Sequence, residues 1–170
     1  MGLNRFIYGA FKPIEILMAK RGTGSLLKVG DRAPDFMVQS HEGESVTLKS
    51  FAGKHLVLWF FPKADTLGCT LEGCAFRDHH AGFEKKNAVV LGVSFDGVKA
   101  NRNFAEKFGF PFLLLCDTER EMGIAYGACK DKTAGTPARI GYWIGSDGLV
   151  KAVYPHADAT EFPQSVLAQI

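Results

Sequence analysis

The sequence lacks several features that would place it in a specialised class of protein. None of its apolar runs reaches the roughly 18 residues that a membrane-spanning helix needs. The net charge of its 170 residues is only +2, and no run of Lys and Arg is interleaved with aromatic residues. Internal repeats and low-complexity tracts are also missing. We therefore expect a single globular domain with no transmembrane segment and no nucleic-acid partner.

Cysteine is also scarce, and the small number of cysteines limits the roles that they can have. Four cysteines in a chain of this length are too few for a disulfide scaffold, so a catalytic or redox use is the better interpretation for the closest pair, Cys69 and Cys74. Their spacing of five excludes the Cys-x-x-Cys motif of thioredoxin-like disulfide exchange. Cys116 ends an apolar run and is predicted to pack in the core. Cys129 lies in a polar segment, where we expect it to be exposed.

Residues 1–28 form a separate compositional unit, a predicted amphipathic arm and linker. Apolar residues recur at helical spacing within residues 3–20, with basic residues between them, which predicts a helix bent at Pro13. We expect this helix to pack on its own domain or on a partner subunit; the second interpretation is a basic helix lying on an anionic membrane surface. The protein is expected to be cytoplasmic, peripherally membrane-associated under that second interpretation, and either a monomer or a homodimer.

From residue 29 to residue 170 the hydrophobic pattern alternates between strand-like and helix-like periods, which defines the predicted domain. Strands are predicted at Phe36–Val38, Ser45–Leu48, His55–Phe61, Ala88–Phe95, Phe112–Cys116, Arg139–Ile144 and Leu149–Tyr154. Helices are predicted at Cys69–Lys85, Val98–Phe108, Glu119–Tyr126 and Ala159–Gln169. This alternation indicates an α/β fold with a central mixed sheet and helices on both faces.

The stretch from Pro62 to Cys74 is a predicted strand-to-helix corner that carries a thiol. Pro62 ends an apolar strand, and a helical pattern begins with Cys69 near its first turn. Backbone N–H groups are unpaired at a helix N-terminus and the helix dipole is positive there, so this position favours the reactive thiolate form of cysteine. Because binding sites of such sheets lie beyond the carboxyl ends of the strands, we expect the functional site at this corner.

The same helix keeps the two cysteines apart. Five residues along an intact helix place the Cα atoms of Cys69 and Cys74 about 8–9 Å apart, on different faces. Disulfides rarely join Cα atoms more than about 7 Å apart. If the pair forms a disulfide, the first turns of the helix must unwind. Gly68 and Gly73 make unwinding easier, since glycine weakens a helix by about 1 kcal/mol relative to alanine.

Several motifs resemble those of a known protein family. Pro62-x-x-x-Thr66-x-x-Cys69 is similar to the peroxiredoxin active-site pattern, and the residues from Gly68 to Asp78 resemble the bacterioferritin comigratory protein, or PrxQ, branch. Supporting matches run along most of the chain: Gly30-Asp31-x-Ala33-Pro34-Asp35-Phe36, Phe51-x-Gly53-Lys54, Leu91-Gly92-Val93-Ser94, Phe110-Pro111-Phe112, Tyr126-Gly127 and Asp147-Gly148. The resemblance covers about residues 29–155 and leaves out the arm.

This resemblance implies a protein with a thioredoxin-like fold. It also implies that the protein reduces hydrogen peroxide and organic hydroperoxides without metal, haem or flavin. It implies that Cys69 is the peroxidatic thiolate and Cys74 the resolving thiol. Thr66 would offer its hydroxyl to the peroxide, Pro62 would shield the pocket, and Arg139 would be the active-site arginine. The sulfenic acid on Cys69 would condense with Cys74 to an intrachain disulfide, which thioredoxin or a similar dithiol would reduce.

Two residues depart from the family pattern. Leu67 stands where the family usually has proline, which removes a constraint on the turn. Gly141 stands where the family usually has Ser or Thr, two residues after Arg139. Both changes are expected to widen the pocket or alter the preference among hydroperoxides, and neither removes an essential chemical group.

Other assignments stay open at the level of sequence. Cys74 could be a small packing residue, in which case Cys116, Cys129 or an outside thiol would resolve the sulfenic acid. Cys69, Cys74, His79 and His80 have a superficial likeness to zinc ligands, but they do not share one helical face, so no metal site is expected. Glu72 is expected to pair with Arg77. Asp96 and Asp117 follow strands and are expected to cap helices.

Two further functions remain as alternatives to the peroxidase. The first is a thiol-disulfide oxidoreductase on the same fold, although the missing Cys-x-x-Cys and the presence of Thr66 and Arg139 disfavour it. The second is a non-enzymatic, redox-regulated binding or chaperone module that uses the amphipathic arm as its contact surface.

Overall fold

A computed structural model describes residues 24–170 of the chain. Within this range, seven strands form one sheet in the order β2-β1-β5-β4-β3-β6-β7. The strands are β1 (Met37–Ser40), β2 (Ser45–Thr47), β3 (His55–Phe60), β4 (Ala88–Ser94), β5 (Leu113–Cys116), β6 (Ile140–Ile144) and β7 (Val150–Tyr154). The helices are α1 (Leu67–Asp78), α2 (His80–Lys85), α3 (Val98–Phe108), α4 (Glu121–Ala125) and α5 (Phe162–Gln169), and a 3-10 helix covers Leu48–Phe51.

The sheet is mixed, with a parallel centre and antiparallel flanks. β3, β4 and β5 run parallel, whereas β6 pairs antiparallel with β3, and β1 pairs antiparallel with β5. β3 therefore lies between β4 and β6, and all but its first residue are buried. The carboxyl ends of β3 and β4 meet the amino end of β6 at one edge of the sheet, because β6 runs the other way.

Helices cover both faces of this sheet, as the sequence predicted. One apolar cluster joins the sheet to α4 through Met122 and Ala125. The other cluster lies on the opposite face and includes buried residues of α1, α2, α3 and α5. The fold class inferred from the sequence, α/β with helices on both faces, is confirmed.

An aromatic cluster fixes the second half of α1 against the sheet. Phe76 of α1 is completely buried and lies 5.5 Å from the Trp59 ring and 5.4 Å from the Phe162 ring, measured between centroids. Aromatic pairs at this spacing contribute beyond the area that they bury. The helix is therefore anchored at Phe76, two residues beyond Cys74 and seven beyond Cys69.

Three of the four predicted helices have different limits in the structure. The helix predicted at Glu119–Tyr126 is shorter and covers Glu121–Ala125. The helix predicted at Cys69–Lys85 is two helices, because His79 leaves helical geometry (φ −98°, ψ 3°) between α1 and α2. The last helix begins at Phe162 rather than Ala159, because the Asp158 carboxylate accepts the backbone N–H groups of Thr160 and Glu161 and holds them in a turn. By contrast, α3 has the predicted limits, Val98–Phe108.

The predicted amphipathic helix at residues 3–20 lies outside the described residues, and the boundary between arm and domain stays a prediction. In the linker, Leu27 is buried and its backbone N–H donates to the Tyr142 hydroxyl at 3.2 Å. Between residues 24 and 170, no helix is long and apolar enough to cross a membrane.

Candidate active site

The five residues from Pro62 to Thr66 lie in the loop between β3 and α1, as the sequence predicted. Thr66 is the residue that precedes α1 and keeps an extended backbone (φ −98°, ψ 158°). Asp65 adopts a left-handed backbone (φ 58°), which Asp tolerates better than most residues. The loop therefore turns sharply at Asp65 and delivers Cys69 into the first turn of the helix.

Cys69 is completely buried and contacts a cation. Its Sγ accepts a hydrogen bond of 3.3 Å from Nη2 of Arg139. Arg139 directly precedes β6, and β6 pairs with β3, so the sheet brings the two residues together although 70 positions separate them. Gly68 leaves room for the guanidinium, because a Cβ there would lie only 2.9 Å from Nη2. A thiol at a helix N-terminus beside an arginine is the environment of a reactive cysteine.

Glu72 is the third side chain of this group. It lies one turn after Cys69 on α1, is completely buried, and its Oε2 accepts a hydrogen bond from Nη1 of Arg139. Oε1 of Glu72 has no hydrogen-bond partner among the described residues. Burial raises the pKa of Glu72 to about 8, although the charge of Arg139 opposes the shift. Burial by itself would lower the pKa of Arg139, but Glu72 and Cys69 outweigh it, so the net shift is upward.

The expected pairing of Glu72 with Arg77 is wrong. The Arg77 guanidinium instead donates to the Asp78 carboxylate at 3.0 Å and to the Phe108 carbonyl at 2.6 Å. Five residues along a helix place two side chains on different faces, so Glu72 turns inward toward Arg139 while Arg77 lies at the surface. Sequence reasoning could not assign this partner, because the pairing of β3 with β6 determines it.

Thr66 and Pro62 both lie in the loop that leads into the helix of Cys69. The Thr66 side chain is exposed and its hydroxyl donates to the Lys63 carbonyl at 2.8 Å. Its oxygen lone pairs remain free to accept, because that bond uses only the hydroxyl proton. Pro62 is half-buried.

Cys74 lies on the same unbroken helix as Cys69, and both thiols are free. Cys74 is half-buried, whereas Cys69 is fully enclosed. The intervening Gly73 packs against the Phe110 ring so closely that a Cβ there would overlap it. The intact helix therefore holds the two thiols apart, as the spacing predicted.

The other two cysteines lie away from this group. Cys116 is buried at the end of β5, as predicted, and accepts a hydrogen bond of 3.4 Å from Nδ2 of Asn101. Cys129 is half-buried rather than exposed, because its segment folds against Gly123. Burial raises the pKa of both thiols, which disfavours the thiolate form.

The adjacent histidines of the suggested zinc set have other contacts. His79 Nδ1 lies 2.9 Å from the Ala75 carbonyl, and His80 Nε2 lies 3.4 Å from Glu84. Across residues 24–170, no three His, Cys, Asp or Glu side chains are grouped as metal ligands would be.

The two aspartates that follow strands differ from each other. Asp117 accepts the backbone N–H groups of Met122 and Gly123 at the start of α4, as a helix cap would. Asp96 was also expected to cap a helix, but α3 is preceded by Gly97, and Asp96 instead accepts the backbone N–H of Ala64 at 2.9 Å. The expectation for Asp96 is wrong, because its carboxylate bonds to the active-site loop and no side chain caps α3.

The fold and this arrangement define a thiol-dependent peroxidase. Residues 29–153 match the AhpC/TSA family, so the chain belongs to that family of peroxiredoxins, within its Bcp/PrxQ branch. A putative peroxiredoxin Bcp from Coxiella burnetii is 39% identical over 134 residues, covering 76% of this chain and 89% of the relative. Peroxiredoxin Bcp from Bacillus subtilis is 42% identical over 106 residues, covering 62% of this chain and 68% of the relative.

A solved structure gives the same assignment. The bacterioferritin comigratory protein of Xanthomonas campestris, a structure described with its alkyl peroxide reduction activity, superposes with a TM-score of 0.76 at 30% sequence identity. The match covers 85% of this chain and 96% of that protein. The resemblance inferred from the sequence motifs is confirmed.

Proposed function

We propose that Cys69 is the thiolate that attacks the hydroperoxide, with Arg139 as the group that stabilises the charge in the transition state. The observation that carries the proposal is the hydrogen bond from Arg139 to Cys69 Sγ in the first turn of α1. Backbone N–H groups of this turn and the guanidinium both favour a negative charge at the sulfur.

The reaction proceeds by displacement at the peroxide oxygen. The sulfur lone pair of Cys69 forms the S–O bond, the O–O bond breaks, and the departing oxygen leaves as hydroxide or alkoxide, which takes a proton from solvent. Cys69 is oxidised to the sulfenic acid, and the peroxide is reduced to water or an alcohol. Negative charge spreads along the breaking O–O bond, so a fixed guanidinium stabilises the transition state more than the ground state.

Pro62 and Thr66 shape the space around the attacking sulfur. Pro62 excludes water from one side of Cys69, and the Thr66 hydroxyl turns from the Lys63 carbonyl to donate to the peroxide. The hydroxyl rotates about one side-chain bond, so this change leaves the backbone of α1 in place.

Cys74 then resolves the sulfenic acid. Its thiol attacks the Cys69 sulfur, water leaves, and the Cys69–Cys74 disulfide forms. Because an intact α1 holds the Cα atoms about 8–9 Å apart, residues 69–74 must leave helical geometry for this step. Phe76 stays in its aromatic cluster and limits the unwinding to the helix start.

An external dithiol of the thioredoxin type closes the cycle by reducing the disulfide. Hydrogen peroxide and organic hydroperoxides are the proposed substrates, since the related Xanthomonas campestris protein reduces alkyl peroxides. We also propose a cytoplasmic location, with the arm at residues 3–20 contacting a second subunit or an anionic membrane surface; the oligomeric state is then a monomer or a homodimer.

The test is peroxide consumption coupled to thioredoxin oxidation. The wild type is expected to turn over hydrogen peroxide and Cys69→Ser to lose turnover by several orders of magnitude. Cys116→Ser is the matched control, because that buried cysteine contacts Asn101 rather than Arg139, and it should retain activity. Turnover that survives Cys69→Ser contradicts the proposal.

A second comparison tests the resolving role. Cys74→Ser is expected to consume one equivalent of peroxide at the wild-type rate and then to stall, because its sulfenic acid has no partner. Cys129→Ser should cycle normally. Normal cycling of Cys74→Ser, together with stalling of Cys129→Ser, would show that Cys129 is the resolving thiol.

A further inference from the structure

The loop before Cys69 is held by a carboxylate that lies outside the active-site group. The backbone N–H of Ala64 donates to Oδ2 of Asp96 at 2.9 Å. Ala64 lies midway between Pro62 and Thr66, and Asp96 follows β4, the neighbour of β3. One hydrogen bond therefore joins the middle of the loop to the end of an adjacent strand.

Asp96 is itself supported by buried groups. Its backbone N–H lies 3.3 Å from the Ser94 hydroxyl, which accepts a hydrogen bond of 3.1 Å from Nδ2 of Asn101. Ser94 and Asn101 are both completely buried, and Asn101 also contacts Cys116. Fully satisfied buried networks are rigid. The backbone of Asp96 is thus tied to a buried hydrogen-bonded pair at the end of β4.

A second contact to the loop is weaker. Nζ of Lys107 lies 2.9 Å from the Asp65 carboxylate, but both side chains are about half exposed. Exposed ion pairs of this kind contribute about 0–1 kcal/mol. The bond from Ala64 to Asp96 is half-buried and involves the backbone itself, so it restrains the loop more strongly.

We propose that Asp96 is a positioning residue for peroxide reduction. By accepting a hydrogen bond from the Ala64 N–H, it fixes the positions of Pro62 and Thr66 relative to the sulfur of Cys69. The inference rests on the proposed function, in which Cys69 reacts with the peroxide. The loop has only six residues between β3 and α1, so a shift at Ala64 is transmitted to both Pro62 and Thr66. Displacements of about 1 Å in a reacting group can cost on the order of 100-fold in rate.

Two substitutions separate the position of the acceptor from its charge. Asp96→Asn keeps a carbonyl oxygen at the same distance from Ala64 and removes the charge. Asp96→Glu keeps the charge and moves the acceptor by one methylene. We expect Asp96→Asn to react with hydrogen peroxide within about threefold of the wild-type rate, and Asp96→Glu to react about 10–100 times more slowly.

The measurement is the rate at which the fully reduced full-length protein consumes hydrogen peroxide in a single turnover, so that thioredoxin recycling does not enter. The matched control is Asp117→Glu, because Asp117 follows the neighbouring strand and also accepts backbone N–H groups, but from α4. This control should lose thermal stability and keep the wild-type rate. Circular dichroism shows that each variant is folded at the assay temperature.

Three results would overturn the inference. Asp96→Glu could react as fast as the wild type, Asp96→Asn could be as slow as Asp96→Glu, or Asp117→Glu could be slowed to the same extent. The first result would show that the position of the acceptor does not affect the rate. The second would show that the charge of Asp96 sets the rate. The third would show that any loosening at this end of the sheet slows the reaction. Failure of the proposed function itself looks different, since Cys69→Ser would then still consume peroxide.

Discussion

Glu72 makes the stability of the protein depend on pH in a way that one substitution can isolate. This carboxyl is completely buried, and burial raises its pKa from the ordinary value of 4.5 to about 8. The unfolded chain loses the proton near the ordinary value, whereas the folded protein keeps it until about pH 8. Between these values the folded state binds one more proton than the unfolded state, so stability falls as pH rises.

The size of the effect follows from the same shift. One pH unit across this interval changes the free energy of unfolding by about 1.4 kcal/mol for a single proton. From about pH 5.5 to about pH 7.5, Glu72 should therefore remove about 2–3 kcal/mol of stability. In Glu72→Gln the side chain does not titrate, so this loss should disappear while the bond to Arg139 can still form through the amide oxygen.

Urea unfolding of the reduced protein at about pH 5.5, 6.5 and 7.5 measures the difference between wild type and Glu72→Gln. The pKa of Asp117 is also raised, by burial, to about 6, but Asp117 is present in both proteins and cancels. The stability of Glu72→Gln relative to wild type should rise by about 2–3 kcal/mol over this range. A difference that stays constant with pH would show that Glu72 does not carry the extra proton in the folded protein.

Two further predictions concern Gly68 and Gly73, the glycines that directly precede Cys69 and Cys74. In Gly68→Ala the new Cβ would lie 2.9 Å from Nη2 of Arg139 and displace it, so single-turnover peroxide consumption should slow by about tenfold or more while the urea midpoint changes little; an unchanged rate would contradict the role of Arg139. In Gly73→Ala the Cβ would overlap the Phe110 ring, so we expect urea unfolding to show a loss of about 1–3 kcal/mol. Unchanged stability in Gly73→Ala would show that α1 or Phe110 can move aside at no cost.

The corner at Pro62–Cys69 could be predicted from local pattern because each of its signals is local. An apolar run that ends at Pro62 and a helical period that begins within a few residues depend only on neighbours in the chain. The same holds for α3, whose end at Gly109 follows from a left-handed residue (φ 64°) that glycine adopts easily. These elements had the expected type, and α3 had the expected limits.

The contacts of Glu72 and Asp96 could not be predicted in this way. The bond from Glu72 to Arg139 depends on the pairing of β3 with β6, and the bond from Asp96 to Ala64 depends on the packing of β4 beside β3. Both join segments that are distant in the chain, so no period or short motif encodes them. The one signal available in the sequence was that Glu72 shares a helical face with Cys69 and Phe76, because a carboxylate on an apolar face needs a partner.

Whether α1 unwinds to join Cys69 to Cys74 is tested by comparing the reduced protein with protein treated with one equivalent of hydrogen peroxide. Peptide mapping by mass spectrometry identifies the disulfide, and amide hydrogen exchange reports the state of α1 in the same samples. We expect a Cys69–Cys74 disulfide, with loss of protection at residues 69–74 and retained protection from Phe76 onward. Full protection at residues 69–74 in the disulfide form, or a peroxide-induced disulfide that leaves out Cys69, would contradict the account.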